Sequence, residues 1–158
     1  MNPTIAALER LAVKQGVTLG NLNRSDLQVV LALASLCLSA DATFAEPEVN
    51  VALKAWLAGT GAMLRVDHVE LRRTLIDFAL WERDGFGHAY RRAMTFADAE
   101  LATHVAELSA LNPQQLIAAR RAEHAAERAQ RKILGRAQRT SQAEPGPPNE
   151  SISASGAT

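Results

Sequence analysis

Apolar side chains spaced three and four residues apart divide the first half of the chain into predicted helices. The stretch from Val29 to Leu38 is apolar on nearly every face, which indicates a helix buried at the centre of the fold. Ser25 is the predicted N-cap of that helix, since its hydroxyl can accept a hydrogen bond from a free backbone amide of the first turn. The spacing predicts helices over residues 3–15, 27–38, 46–58 and 67–80.

After Leu80 the helical spacing stops. Residues 80–83 and 88–91 flank the turn sequence Asp84-Gly-Phe-Gly87, and this pattern predicts a β-hairpin because Asp and Gly tolerate the positive φ of tight turns. Three helices followed by a hairpin are typical of a winged helix-turn-helix. We therefore predict a mainly α protein whose core is a winged helix-turn-helix of three to four helices with a β-hairpin wing.

The second half predicts helices outside this core. Thr95 or Asp98 can cap a helix through Leu108, and Asn112-Pro113 marks a new helix start. The Ala-rich, basic stretch 114–139 predicts a long exposed helix. Residues 140–158 contain too few large apolar side chains to offset chain entropy, so we expect a disordered tail. The predicted organisation is an N-terminal helix and linker (1–24), a winged-helix-like domain (25–93), C-terminal helices (94–139) and a tail (140–158).

Charge is balanced overall, with 17 basic and 17 acidic side chains, but it is unevenly distributed. Residues 1–111 hold 10 basic and 13 acidic side chains, whereas residues 112–140 hold 7 basic and 2 acidic ones. Nonspecific attraction to phosphate is therefore expected towards the C-terminus.

Few residues of the sequence suggest catalysis or metal binding. Cys37 is the single cysteine, which excludes an internal disulfide and a multi-cysteine metal site, and its apolar surroundings predict a buried, inert thiol. The four histidines are scattered without a metal-ligand spacing, and only His88 near Asp84 could mimic a catalytic dyad. We expect no cofactor, no metal and no enzymatic activity. With neither a signal peptide nor an apolar run long enough to span a bilayer, we expect a cytoplasmic protein without membrane contact.

The segments "EPEVNVALKAWL" and "DHVELRRTLIDFALWERDGFGHAYRR" resemble the bacterial domain-of-unknown-function family 2087. The resemblance covers roughly residues 25–92, with Ala79 where the family often has Gly and Ala45 where it usually has a capping Ser or Thr. It implies a winged-helix module associated with transcription regulators. The positions that match are Glu48, Val49, Asn50, Asp67, Leu71, Arg72, Arg73, Leu75, Asp77, Leu80, Arg83 and Tyr90.

Two arginine pairs are the first candidates for nucleic-acid contact. In a helix-turn-helix the second helix enters the major groove, so Arg73 on helix 67–80 is a candidate reader of guanine. Arg72 has two interpretations, groove contact or pairing with an acidic neighbour such as Glu48 or Asp84. Arg91 and Arg92 on the wing suit phosphate contacts, or else form a solvated strand end.

The basic C-terminal helix adds Arg120, Arg121, Arg128 and Arg131 to the predicted nucleic-acid contacts. Its alanine seam, in which Ala119, Ala126 and Ile133 are seven residues apart, also suits a weak dimer. A solvated helical extension is the third interpretation.

Three functions remain open from the sequence. The first is a small winged-helix protein that binds double-stranded DNA, and the resemblance implies that it is a bacterial transcription regulator. The second is a protein-interaction module, favoured by the zero net charge. The third is binding of RNA or the ribosome through the basic helix. An exposed apolar face on helix 67–80 would favour the second.

Overall fold

The computed structural model describes residues 1–143, Gly146 and Gly156. This part of the chain contains six α-helices, one 3₁₀ turn and three short strands, which confirms a mainly α fold. In chain order they are α1 (Pro3–Ala12), the 3₁₀ turn (Leu19–Asn21), α2 (Arg24–Ser35), β1 (Phe44–Ala45), α3 (Glu46–Ala58), α4 (His68–Asp77), β2 (Trp81–Arg83), β3 (Ala89–Arg92), α5 (Ala99–Ser109) and α6 (Pro113–Gln142).

The predicted hairpin is present, and a third strand completes a small antiparallel sheet. β2 and β3 pair directly, and β1 pairs with the other edge of β3, placing Phe44 opposite Tyr90. The order α2, β1, α3, α4, β2, β3 is that of a winged helix-turn-helix, as predicted. β1 was not predicted because two residues are too few for an alternating pattern to be recognised.

Helix α2 forms the centre of the core. Every residue from Val29 to Ala34 is at most 2% exposed, and α2 contacts α1, α4 and α5. The buried central helix is therefore confirmed. Because α1 and α5 cover α2, residues 1–124 form one compact unit that extends beyond the family-like segment on both sides.

Polar side chains cap the starts of the helices, and the predicted cap of α2 was wrong. α2 begins at Arg24, and its N-cap is Asn23 rather than the expected Ser25, with the Asn23 Oδ1 atom accepting the Asp26 amide at 2.8 Å. Asn caps as well as Ser does, so the helix gains an earlier start. Asp98 caps α5, as one of the two predicted alternatives. Ala45 provides no side-chain cap for α3, but the Glu48 carboxylate accepts the Ala45 amide at 2.8 Å.

A left-handed residue links α4 to the wing. Ala79 has φ +57°, and the Leu80 amide donates to the Leu75 carbonyl at 3.0 Å, which closes the helix end. Glycine adopts this conformation without the steric conflict of a Cβ atom. This gives a physical reason for the glycine that the family resemblance leads one to expect where this chain has Ala79.

The side chains of Thr4 and Arg10 hold α1 to its neighbours. The Thr4 hydroxyl lies 2.7 Å from Nδ1 of the buried His104 on α5. Arg10 makes a bidentate ion pair with Asp26 on α2, with nitrogen–oxygen distances of 2.7 and 2.9 Å. Hydrogen bonding to this guanidinium lowers the pKa of the Asp26 carboxyl.

The second compact unit begins at Ala125. In its described part it consists of the remainder of α6, which ends at Gln142 instead of the predicted residue 139. The Thr140 hydroxyl donates to the Arg136 carbonyl at 3.0 Å inside this last turn. The rest of the predicted tail, apart from Ala143, Gly146 and Gly156, lies outside the described residues. No helix in the described part has the length and hydropathy needed to cross a bilayer.

Candidate nucleic-acid interface

A groove between α4 and the wing brings three arginines together. Arg72 and Arg73 come from α4 and Arg83 comes from β2, and all three line the groove with Tyr90. Two carboxylates, those of Glu46 and Asp77, line it as well. The groove therefore carries a small excess of positive charge at the junction of the second helix of the motif and the wing.

Arg72 is held inside the protein. Its side chain is 14% exposed, and its guanidinium lies 3.3 Å from the Glu46 carboxylate and hydrogen-bonds to the Asn50 side chain. The guanidinium carbon also lies 5.8 Å from the centre of the Tyr90 ring. The ion-pair partner is thus Glu46, whereas Glu48 or Asp84 was expected. Arg72 thus joins α3, α4 and β3.

Arg73 and Arg83 differ from Arg72 in their environment. Both are exposed, and neither makes an ion pair within residues 1–143. Arg83 was absent from the predicted contacts, although it belongs to the family-like motif. Strict strand alternation places it on the side of the buried Trp81, so the pattern gave no reason to expect an exposed groove residue.

Arg91 and Arg92 point in different directions because successive strand residues alternate between faces. Arg91 is exposed and pairs across the strands with Glu82 at 2.8 Å. Arg92 is half-buried and donates to the Leu38 carbonyl at 3.5 Å. Arg91 is therefore the member of this pair on the exposed face of the wing.

The four arginines predicted on the C-terminal helix have unequal surroundings. Arg121 donates to the carbonyls of Ala12, Gly59 and Thr60 at 2.9–3.0 Å, and burial lowers its pKa. It closes the ends of α1 and α3. Arg120 pairs with Glu123 at 3.2 Å. Arg128 and Arg131 belong to the second unit and are exposed.

The Asp84–His88 pair belongs to the hairpin turn. The Asp84 carboxylate accepts the backbone amide of His88 at 2.8 Å, and this hydrogen bond lowers the Asp84 pKa. The contact shapes the turn without engaging the imidazole ring. Among the described residues, no three His, Cys, Asp or Glu side chains are grouped as metal ligands.

The class of fold is a winged helix-turn-helix, and one comparison finds a family model that is similar to part of the chain. Residues 22–92 match the family model described as "Uncharacterized protein conserved in bacteria (DUF2087)". This match supports the resemblance drawn from the motif residues, and it covers β1, α2–α4 and the wing. Neither the curated proteins nor the solved structures contain a significant match to the chain.

Proposed function

We propose that the protein binds double-stranded DNA through the groove between α4 and the wing and acts, without catalysis, as a transcriptional regulator. The observation that carries the proposal is the pair of exposed arginines, Arg73 and Arg83, on the two elements that meet at this groove. Arginine offers both charge for phosphates and a bidentate fork for guanine.

The proposed roles follow from position. Arg73 lies on the second helix of the motif, so it reads a base edge in the major groove. Arg83 and Arg91 lie on the wing and contact backbone phosphates, which fixes orientation without reading sequence. Arg91 exchanges its contact with Glu82 for a phosphate. Such exposed pairs contribute only about 0–1 kcal/mol, so the exchange is easily offset.

A protein-interaction module is the competing function. It would be favoured by an exposed apolar face on α4, but the exposed positions within α4 are Glu70, Arg73 and Asp77. The large apolar side chain next to it, Phe78, is 37% exposed. This polar surface supports nucleic-acid contact over an apolar docking face, while Glu70 and Asp77 reduce the expected affinity.

The basic part of α6 supports a second nucleic-acid hypothesis. Arg128 and Arg131 are exposed together with Lys132, Arg136 and Arg139, and this surface suits DNA or structured RNA. Ile133 and Leu134 are 68% and 57% exposed, so the same segment also suits weak homodimerisation. These remain alternatives to the groove.

Fluorescence anisotropy of the full chain with mixed genomic duplex fragments tests the proposal. We expect saturable binding that weakens steeply between about 50 and 200 mM salt, since each phosphate contact releases a counterion. A labelled structured RNA of equal length serves as the comparison. Absence of duplex binding at the lower salt concentration, or binding of the RNA alone, would contradict DNA as the ligand.

A further inference from the structure

A cavity of about 370 Å³ lies between α2, α3, the end of α5 and the start of α6, and it shares no lining residue with the arginine groove. Its wall includes Leu33 and Leu36 of α2 and Trp56 of α3. Leu108 and Leu111, at the end of α5, add to this apolar wall. The volume falls within the range of roughly 300–1,000 Å³ typical of small-molecule sites.

Arg92 is the one charged side chain among the described residues that line this cavity. Its single protein hydrogen bond is the 3.5 Å contact with the Leu38 carbonyl, at the long limit for such a bond. By contrast, Arg72 and Arg91 are paired with carboxylates, and Arg121 is surrounded by carbonyls. Arg92 therefore retains donors and positive charge at a cavity that is apolar on the side of α2, α3 and the end of α5.

A second source of positive potential lies in the same wall. Asn112, Pro113 and Gln114, at the first turn of the 30-residue helix α6, line the cavity. The N-terminal end of a helix carries a partial positive charge, and its first amides have no partner within the helix. The Asn112 side chain accepts the Gln115 amide at 3.2 Å, the Asn112 carbonyl accepts the Leu116 amide at 3.2 Å, and Pro113 has no amide hydrogen. The Gln114 amide is therefore the first-turn donor that remains for a ligand.

We propose that this cavity binds a small organic anion, namely a carboxylate attached to a medium-length alkyl chain or a single aromatic ring. The carboxylate pairs with the Arg92 guanidinium, and the apolar body packs against Leu36, Trp56 and Leu111. Thr60, Ser109, Asn112 and Gln114 also line the cavity, but no carboxylate does. The charge of Arg92 therefore favours an anion over a cation, and the apolar part of the wall accommodates its body. The site stands independently of any nucleic-acid binding.

Cys37 provides a direct report on occupancy, because it is the chain's single cysteine and lines the cavity. Burial raises the pKa of its thiol to about 12, so little thiolate forms near neutral pH and alkylation by iodoacetamide is slow. A ligand that covers the sulfur should slow it further. Trp56 provides a second signal through its intrinsic fluorescence. Trp81, the other tryptophan, is 1% exposed in the core and is not a wall residue.

The test uses the full chain with octanoate and 3-phenylpropionate, and with octan-1-ol as the neutral comparison. We expect saturable quenching of tryptophan fluorescence and a several-fold slower alkylation of Cys37 with either carboxylate. Arg92→Gln should weaken carboxylate binding about tenfold or more, since it removes a charge-assisted hydrogen bond, and leave octan-1-ol binding unchanged.

Arg91→Gln is the matched control, since it removes the same charge from the neighbouring position on the other face of β3. It should leave carboxylate binding unchanged. Leu111→Phe, at a 40% exposed wall position that tolerates a larger side chain, should weaken binding of all three probes. The proposal is overturned if neither carboxylate binds saturably, or if Arg92→Gln and Arg91→Gln bind octanoate equally well.

Discussion

The guanidinium of Arg72 lies over the ring of Tyr90, with 5.8 Å between the guanidinium carbon and the ring centre. Tyr90 is 1% exposed and belongs to β3, so the contact fixes α4 against the wing. The next residue along α4, Arg73, points into solvent. Two consecutive arginines therefore have different roles: Arg72 is structural, and Arg73 is a candidate DNA contact.

This difference predicts unequal effects on stability. Arg72→Ala should lower the free energy of unfolding by about 1–3 kcal/mol, because it removes the ring contact, the ion pair with Glu46 and the hydrogen bond to Asn50. Arg73→Ala, the matched control, should change it by less than about 0.5 kcal/mol. Urea denaturation followed by circular dichroism measures both. Equal losses in the two variants would show that Arg72 has no special structural role.

Ala79→Gly should stabilise the protein. The Ala79 Cβ atom strains the left-handed conformation by about 1–2 kcal/mol, and glycine relieves this at the cost of some unfolded-state entropy. A net gain of about 0.5–1 kcal/mol is expected from thermal or urea unfolding. Ala55→Gly, at an exposed position inside α3, should instead destabilise by about 0.5–1 kcal/mol. A loss of stability in both variants would argue against left-handed strain at Ala79.

Gly61 should not tolerate a larger residue. A Cβ atom built there overlaps the ring of the buried Trp56, so Gly61→Ala must displace a core side chain. We expect a loss of about 1–3 kcal/mol in the free energy of unfolding. Gly20→Ala is the control, because no heavy atom lies within 4 Å of a Cβ atom built at that site. A near-zero effect at Gly61 would mean that the loop after α3 moves freely.

Acid should weaken the protein partly through Asp26. Hydrogen bonding to Arg10 lowers the pKa of the Asp26 carboxyl in the folded state. The contribution of Asp26 to stability is therefore fully present above its unfolded pKa and is lost as pH falls through the folded pKa. Asp26→Asn should therefore lose less stability than the wild type when urea unfolding at pH 6 is compared with unfolding near pH 3. Arg10→Gln should likewise lose less free energy of unfolding than the wild type between pH 6 and pH 3. An unchanged pH dependence in both variants would exclude this pair as a contributor.

The sequence predicted the elements whose signals are local. The breaks at Gly59 and Asn112 and the Asp-Gly turn correspond to observed features of the structure. The apolar run at 29–38 corresponds to α2, but that helix ends at Ser35 and not at the predicted residue 38. The short strand β1 had no such signal, because it exists through pairing with the distant β3. The site depended even more on long-range contacts. Neither the Glu46 pairing of Arg72 nor the buried contacts of Arg121 follows from residue spacing.

The most direct test of DNA binding by the groove compares two double charge reversals in the full chain. Arg73→Glu/Arg83→Glu alters the groove, and Arg128→Glu/Arg131→Glu alters the basic part of α6, with the same change in net charge. Anisotropy with mixed genomic duplex at about 50 mM salt gives their affinities. The groove variant is expected to lose most of the binding while the α6 variant retains most of it. The reverse order would move the site to α6 and contradict the proposed interface.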